Sequence, residues 1–415
     1  MSLLFINPFV EDFTAYNLWA APLGLFRLME HFEKLGVVVE YIDLLDGKNV
    51  GYDGATPPKF RSWGRHSYSK KEIEKPEPLK FVKRKFNRFG ASDERAYEIL
   101  SKIKKPKKIF ISTGMTYWYG SVLQTIDIVQ EVFPDVEIVL GGISATLIPH
   151  FFKTEGVRVW EGAFPIDEGI TGTGSKHLKD LLFFPTNIVK GCPNRCPYCA
   201  SSLFDTTIKI QDIQELTENL NEWHEETKFV DVAFFDDALL LKKGAYLKEF
   251  LKKLDPARFR FHTPNGLHLK EVDEELCRYF RDYNFPQLRF GFETAFSRFD
   301  DKTNFGELAK VAQMLHKFGF EKEQIGVYLL CGLPGQTVWE VEKTIELVAE
   351  VGAKPYLSEY SPVPKTPLYK EHLKESLLDF DKEPLYQNNT VSSFRSPVFT
   401  PSVVEECNLR LRVIV

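Results

Sequence analysis

Apolar runs alternate with amphipathic stretches along the first 165 residues of the chain. Short β-branched or aromatic runs bounded by Gly, Pro or Asp predict strands, and apolar residues spaced three or four apart predict helices. The predicted strands cover 2–7, 37–42, 108–112, 136–140 and 156–160, and the predicted helices cover about 22–35, 93–103 and 122–133. Short strands that alternate with helices favour an α/β fold with a doubly wound parallel sheet, of the Rossmann-like (flavodoxin-like) type.

The same alternation continues in the second half of the chain. Its predicted strands cover 186–190, 229–235, 259–263, 287–292, 325–331 and 356–361, and its predicted helices cover about 213–225, 243–254, 273–283, 305–318 and 338–351. Six β/α units predict a partial (β/α)6 barrel of the TIM type, whose active residues belong at the carboxyl ends of the strands. The sequence places its unusual polar residues there, which supports the barrel.

These patterns predict a Rossmann-like domain at 1–165, a partial barrel at 180–369 and a C-terminal extension at 370–415. The first domain carries an insertion at about 48–107, which includes the basic run LKFVKRKFNR. We interpret this run as a solvated face, with phosphate contact as the alternative. Residues 409–415 of the extension predict a strand, and the extension as a whole could close the open side of the barrel or cover the substrate.

Composition narrows the range of partners. The 415 residues carry a formal net charge of −5, which gives no general case for nucleic acid or membrane binding. The N-terminus shows neither a basic segment nor a long apolar run, so we expect no signal peptide and no membrane span. Cysteines that must remain thiolates favour a reducing compartment, so the expected location is cytoplasmic.

Three of the six cysteines, Cys192, Cys196 and Cys199, lie within eight residues. A C-x3-C-x2-C spacing can give three thiolates to one inorganic centre and leaves one metal position open. Unrelated structural cysteines are one alternative, and a zinc site completed by His177 or Cys331 is another. The pattern favours a [4Fe-4S] cluster with one iron free of protein ligands.

With Tyr198 before the third cysteine, this motif resembles the cluster motif of the radical S-adenosylmethionine (SAM) superfamily. The resemblance implies that the amino and carboxylate groups of SAM chelate the open iron. It also implies that the reduced cluster cleaves SAM to a 5'-deoxyadenosyl radical, with an external electron donor such as flavodoxin or ferredoxin. The other cysteines show no second motif, so we expect no auxiliary cluster.

The resemblance extends to residues at the strand ends. It assigns SAM contacts to Tyr198, Asp236, Asp237, Asn265, Glu293, Val327 and Gly332. A carboxylate suits the positively charged methionyl end of SAM. For Asp237 the alternative is a turn cap, and for Glu293 it is a structural ion pair. His262 could line the cavity, although a lone histidine on a strand is more often part of the core.

The first 165 residues resemble the cobalamin-binding domain that precedes some radical SAM domains. The resemblance rests on Asn7-Pro8, on Pro22-Leu23-Gly24 and on the glycine pair 141–142. It implies cobalamin contacts at Asn7, Thr113, Gly114, Thr116, Gly141 and Gly142. The D-x-H-x-x-G segment of many cobalamin proteins is absent, and the loop after the first strand has no histidine to hold the lower corrinoid face. A Rossmann-like domain that holds no corrinoid is the alternative.

The leading functional hypothesis is a radical SAM enzyme that methylates an unactivated carbon with cobalamin. One alternative keeps the radical chemistry without cobalamin and gives rearrangement or cyclisation. Another is a non-catalytic metal- or cluster-binding protein. The sequence identifies neither a catalytic acid or base nor the substrate, which could be a small molecule or a peptide.

Overall fold

A computed structural model describes residues 2–47, 50–51, 54–166, 169–204, 207–299 and 302–414. The chain divides into two compact units, the first formed by Met1–Leu182 with Lys382–Tyr386 and the second by Phe183–Asp381 with Gln387–Val415. None of the described helices combines the length and the apolar character that crossing a membrane would require.

The first unit is an α/β structure. Its strands, β1 to β10 in chain order, are Ser2–Asn7, Val10–Asp12, Tyr16–Asn17, Val38–Asp43, His66–Ser67, Lys70–Ile73, Phe86–Phe89, Lys108–Thr113, Glu137–Gly142 and Val157–Val159. Its α-helices, α1 to α4, are Leu23–Lys34, Asp93–Ser101, Tyr119–Val132 and Ile143–Leu147.

Five strands of the first unit form a parallel sheet in the order β10-β9-β8-β1-β4. In the order of these strands along the chain this is 5-4-3-1-2, the flavodoxin-like arrangement, and it confirms the predicted fold class. Leu4, Phe5 and Ile6 of β1 are fully buried, because an interior strand of such a sheet is covered on both faces. The Phe5 ring stacks on Phe110 of β8 with the ring centroids 4.9 Å apart.

The insertion contributes a second sheet that the sequence did not predict. Strands β2, β7 and β6 pair in antiparallel fashion, and all four residues of β7 are buried. Arg88, at the end of the basic run, is 7 % exposed, ion-paired with Glu11 and Asp93, and 3.8 Å from the centre of the Phe9 ring. The interpretation of the whole run as a solvated face is therefore wrong at its last residues. Residues 48, 49, 52 and 53 of the insertion lie outside the described residues.

The second unit carries the remaining elements. Its strands, β11 to β18, are Phe184–Thr186, Val189–Lys190, Lys209–Ile210, Asp231–Phe234, Arg260–His262, Leu288–Glu293, Ile325–Cys331 and Lys354–Glu359. Its α-helices, α5 to α13, are Ser201–Phe204, Ile213–Thr227, Leu241–Lys252, Glu274–Asp282, Phe305–Lys317, Val338–Glu350, Pro367–Glu375, Ser392–Arg395 and Pro401–Ile414.

The predicted β/α units of this half are present, but their strands form two sheets. The sheets are β11-β14-β15 and β16-β17-β18, each parallel, and a bridge between Leu267 and Phe290 joins them. At this junction a Cβ on Gly266 would lie 2.8 Å from the backbone nitrogen of Gly291, so only glycine fits. A continuous six-stranded barrel is not confirmed over the described residues. The first predicted strand is also split, because β12 turns away to pair with β13.

The C-terminal segment forms helix α13, and the strand predicted for 409–415 is wrong. Val404 and Cys407 are buried three residues apart, as on one face of a helix, and Arg410 forms ion pairs with Glu342 and Glu346 of α10. The alternating segment LRLRVIV fits a strand locally, but packing against α10 favours the helix. Residue 415 lies outside the described residues.

Candidate active site at the cysteine loop

The loop that carries the three cysteines follows β12 and is fixed at both ends. Gly191, which opens it, has φ +89°, a conformation that strains any residue with a Cβ. Near its other end, the Pro197 carbonyl accepts a hydrogen bond from the Leu368 backbone N–H at 3.0 Å. The loop therefore leaves the sheet in a defined direction.

All three cysteines line one cavity of about 370 Å³, which we call the cysteine cavity. Cys192 and Cys196 are half-buried, whereas Cys199 is exposed and its Sγ accepts a hydrogen bond from the Ser201 backbone N–H at 3.4 Å. Burial raises the pKa of the Cys192 thiol, and a backbone hydrogen bond at Asn194 offsets part of that increase. A metal centre that binds here must therefore displace a thiol proton.

The two aspartates after β14 have different environments. Asp237 lines the cysteine cavity, where the resemblance predicted a SAM contact. Asp236 is 3 % exposed, and its Oδ1 accepts hydrogen bonds from the backbone N–H groups of Ile188, at 2.9 Å, and Val189, at 2.5 Å. Burial raises the pKa of Asp236 to about 7. Asp236 thus supports the base of the loop, and the SAM contact predicted for it stays a prediction.

Glu293 lies at the end of β16, where a β-bulge directs its side chain into the cysteine cavity. Its φ of +63° is rare for a residue other than glycine and is typical of strain at functional sites. Lys302 Nζ lies 2.9 Å from Glu293 Oε1 and donates a hydrogen bond to Tyr198 OH at 2.8 Å. The ion pair predicted as the alternative for Glu293 is therefore present, and the SAM contact predicted for Glu293 stays a prediction.

Of the remaining residues predicted to contact SAM, one lines the cysteine cavity and two do not. Asn265 lines the cysteine cavity and donates a hydrogen bond to the Phe235 carbonyl at 3.1 Å. Val327 is fully buried in β17, and Gly332 follows that strand; neither is among the residues that line the cavity. Their roles stay predictions.

His262 belongs to the core rather than to the cavity. It is 2 % exposed, and its Nε2 lies 2.7 Å from Asp231, which also pairs with Arg260. Burial alone would raise the pKa of Asp231, but hydrogen bonds from His262 and Arg260 lower it.

The cysteine geometry does not support a closed zinc site. Among the residues that the structure describes, no three His, Cys, Asp or Glu side chains converge closely enough to hold one metal ion. Cys331 is 1 % exposed beside Cys407, and its thiol pKa is raised by burial. His177 lies in the first unit, against the Tyr41 ring. A cubane cluster places each thiolate on a different iron and so accepts a wider separation of the three sulfurs.

In the first unit, the carboxyl edge of the parallel sheet contains the predicted cobalamin contacts. Asn7 donates a hydrogen bond to Asp43 at 2.9 Å, and Thr113 Oγ1 accepts one from the Ala145 N–H at 3.0 Å. Thr116 is buried, and Gly114 lies against the Trp118 ring. Gly141 has open space around it, and Gly142 begins the turn into α4.

Three further features of this edge suit a large ligand. Met115 and Ile143 are 46 % and 44 % exposed, and the fully buried Ser144 hydroxyl has no hydrogen-bond partner among the described residues. An open edge with exposed apolar side chains and an unsatisfied hydroxyl fits a bulky, partly apolar group.

Sequence reasoning missed Lys302, the residue that connects Glu293 to Tyr198. It also missed His268, Tyr328 and Ser358, which line the cysteine cavity. The only local signal for Lys302 was its position shortly after the strand-end glutamate.

Comparison with known proteins agrees with this geometry. Residues 186–348 match the family model of the Radical SAM superfamily. The structure of the radical S-adenosylmethionine methyltransferase TsrM from Kitasatospora setae, with cobalamin and a [4Fe-4S] cluster bound, aligns with a TM-score of 0.65. That alignment covers 100 % of this chain and 91 % of that chain at 14 % identity, so it shows the fold alone.

A second structure, Streptococcus suis SuiB bound to precursor peptide SuiA, aligns with a TM-score of 0.36 at 9 % identity. It covers 59 % of this chain and 56 % of that chain, and the score is too low to carry an argument. No curated protein sequence matches the chain.

The matched segment and the cysteine cavity define the second unit as a radical SAM domain. The chain therefore contains a radical SAM domain, which is the domain of enzymes that use a [4Fe-4S] cluster and SAM.

Proposed function

We propose that this enzyme is a cobalamin-dependent radical SAM methyltransferase that acts on an unactivated carbon. The observation that carries the proposal is the fold likeness to TsrM, which extends over the whole chain and so includes the Rossmann-like unit. The open carboxyl edge of that unit, with Met115 and Ile143 exposed, supports a corrinoid site. The loop after β1 contains no histidine, so that loop would give a corrinoid no imidazole ligand.

Residues of the second unit would hold the other cofactors. Cys192, Cys196 and Cys199 would bind the cluster, and the Asp237 carboxylate would contact the positively charged methionyl end of SAM. When bound, the cluster supplies the electron that cleaves SAM, and the corrinoid supplies the methyl group. Glu293 and Lys302 line the same cavity as an ion pair.

A corrinoid-independent radical conversion is the second candidate, and one observation favours it. Asn7 and Thr113, two of the polar residues predicted to contact cobalamin, already make hydrogen bonds within the unit. A corrinoid would have to compete with those bonds or use the backbone and apolar surface instead. In this case SAM cleavage would lead to rearrangement or cyclisation.

The test is anaerobic reconstitution with iron, sulfide and hydroxocobalamin, followed by desalting. Retained corrinoid absorbance, together with 5'-deoxyadenosine formed from SAM and reductant, is the expected result. A variant with all three cysteines of the loop replaced by alanine should retain the corrinoid and form no 5'-deoxyadenosine. Loss of all corrinoid on desalting would reject the cobalamin proposal and leave the second candidate. The cytoplasmic location and the flavodoxin or ferredoxin donor stay predictions.

A further inference from the structure

We propose that Arg289 and Lys354, at the starts of β16 and β18, bind an oxyanion, a carboxylate or phosphate, of the enzyme's substrate. The two residues lie in one row across the sheet, because Arg289 pairs with Gly326 of β17 and Gly326 pairs with Lys354. Side chains in such a row project from the same face of the sheet. We call Arg289 and Lys354 the strand-start cations. The inference rests on the proposed function only in that the enzyme acts on a substrate separate from SAM.

Arg289 is half-buried, and its side chain donates hydrogen bonds only to uncharged groups among the described residues. Its Nη2 donates to Gln287 Oε1 at 2.8 Å and to Tyr356 OH at 3.1 Å. Its Nη1 is buried and has no hydrogen-bond partner in the described part of the chain. Removing a charge from water is costly unless an opposite charge compensates it, so a guanidinium in this position normally pairs with a carboxylate.

Gly326 makes room for this guanidinium between the two strands that carry the cations. A Cβ at position 326 would collide with Arg289 Nη1, so any other residue would displace the guanidinium. The charged groups of both cations lie near one aromatic ring. The guanidinium carbon of Arg289 is 4.2 Å and Lys354 Nζ is 6.0 Å from the centre of the Tyr356 ring. An oxyanion beside that ring would interact with the charge of both residues.

No carboxylate balances the strand-start cations within the described ranges, where neither of them forms an ion pair. Glu323 lies in the turn Lys322–Gln324, which packs against β17 and β18, but it is exposed and pairs with neither cation. The next row of the sheet, Gly291, Tyr328 and Tyr356, adds no acid. Two uncompensated cations concentrate anions, and the planar guanidinium matches the paired oxygens of a carboxylate or phosphate.

The position of the strand-start cations suits an anchor for the substrate. Gly291 and Tyr328, which line the cysteine cavity, lie two residues beyond Arg289 and Gly326 on the same strands. Two residues of strand span about 6.6 Å and leave the side chains on one face. Neither strand-start cation lines the cysteine cavity, so the anchor is separate from the residues predicted to hold the cluster and SAM. Binding energy at a separate anchor can hold an unactivated carbon against the reacting atoms.

Calorimetric titration of the cluster-loaded, SAM-saturated enzyme at constant ionic strength tests the proposal. The ligands are benzoate, inorganic phosphate and, as the neutral analogue of benzoate, benzamide. We expect saturable binding of benzoate or phosphate and none of benzamide. The preferred anion identifies whether the substrate carries a carboxylate or a phosphate.

The decisive variant is Arg289→Gln/Lys354→Gln, for which we expect anion binding to be weaker by about tenfold or more, because both charge-assisted contacts are lost. The control Lys310→Gln/Lys370→Gln removes the same charge from exposed lysines of α9 and α11 and should bind the anion as the wild type does. Iron content should equal that of the wild type in both variants. Should the decisive variant fail to fold, Lys354→Gln alone carries the test, with an expected weakening of about threefold.

Four results would overturn the proposal. Equal weakening in the charge-matched control would mean that the anion responds only to overall charge. Unchanged binding in the decisive variant would place the anion elsewhere. Competition between the preferred anion and SAM would assign the strand-start cations to the cofactor. Failure of both anions to saturate would leave Arg289 and Lys354 a structural role alone. None of these readouts involves the corrinoid, so failure of the cobalamin proposal leaves the test intact.

Discussion

Replacing Asp236 with alanine should release the base of the cysteine loop. The substitution removes the acceptor of two buried hydrogen bonds, from the backbone N–H groups of Ile188 and Val189. Each buried N–H left without a partner costs about 1–3 kcal/mol, so the total is roughly 2–6 kcal/mol. For a unit of this size, that lowers the melting temperature by roughly 5–20 °C.

Asp236→Asn keeps a hydrogen-bond acceptor at this position but removes the negative charge. The asparagine carbonyl oxygen can accept both hydrogen bonds without a buried charge, so we expect this variant to be at least as stable as the wild type at neutral pH. The raised pKa also predicts a pH effect. The folded state holds the Asp236 proton up to about pH 7, whereas the ordinary pKa of this carboxyl is 3.8. The stabilisation from proton binding is therefore present below pH 3.8 and is lost as pH rises through 7. The loss is roughly 4 kcal/mol in all, and Asp236→Asn should not show it.

The assay is thermal melting of both variants and the wild type from pH 5.5 to 8.5, with iron and sulfide counted per chain after anaerobic reconstitution. The alanine variant should melt early and bind less iron, and the asparagine variant should retain its cluster. If the two variants melt together and load the same iron, the hydrogen bonds to the loop are not what Asp236 contributes. If asparagine fails as alanine does, the charge itself is needed, as a direct SAM contact would require.

Three further changes test other parts of the structure. Gly266→Ala places a Cβ 2.8 Å from the backbone at the junction of the two sheets, and by calorimetry it should lower the free energy of unfolding by several kcal/mol. In the control Gly120→Ala, in α3, the new Cβ meets nothing within 4 Å, so stability should be unchanged or raised by about 0.5–1 kcal/mol. His372 is 3 % exposed, faces Tyr360, Phe380, Arg395 and Glu375, and has its pKa lowered to about 4 by burial and then by Arg395. The unfolded chain thus binds the His372 proton more readily between pH 6.5 and 4. The stabilisation of roughly 3 kcal/mol is present above pH 6.5 and is lost towards pH 4. The melting temperature of His372→Phe should therefore fall less steeply with decreasing pH than that of the wild type, and an unchanged dependence on pH would contradict this. Lys302→Gln removes the cation 2.9 Å from the Glu293 carboxylate, which is 13 % exposed, and should lower the free energy of unfolding by about 1–3 kcal/mol in chemical denaturation. Lys302→Arg should retain most of this stability, and an equal loss in both variants would show that the charge does not contribute.

Local patterns predicted most of the regular structure. Strands such as Ser2–Asn7 and Ile325–Cys331 are buried parallel strands, and burial on both faces leaves an apolar run that is visible in the sequence. Helices such as Phe305–Lys317 end within one or two residues of the prediction because caps and glycines are local signals. The alternation of strands and helices predicted the doubly wound parallel class of the first sheet but not the order of its strands.

Elements that depend on distant partners escaped prediction. Strand β2 has three residues and pairs with β7 more than seventy positions away, so nothing near it indicates a sheet. Arg88 looks like a surface residue within a basic run, yet its partners Glu11 and Asp93 lie on other elements. The helix at the end of the chain depends in the same way on ion pairs with α10. In each case contacts with distant residues determine the structure, and the local sequence pattern alone indicates a different one.

The candidate site likewise has features that the local sequence predicts and features that depend on the fold. The spacing of the three cysteines is a local property and was sufficient to predict that they share one cavity. The different environments of Asp236 and Asp237 were not predictable, because adjacent residues on a strand end point in opposite directions and only the fold decides which side is buried. Lys302 was missed because its role depends on the bulge that turns Glu293 towards it.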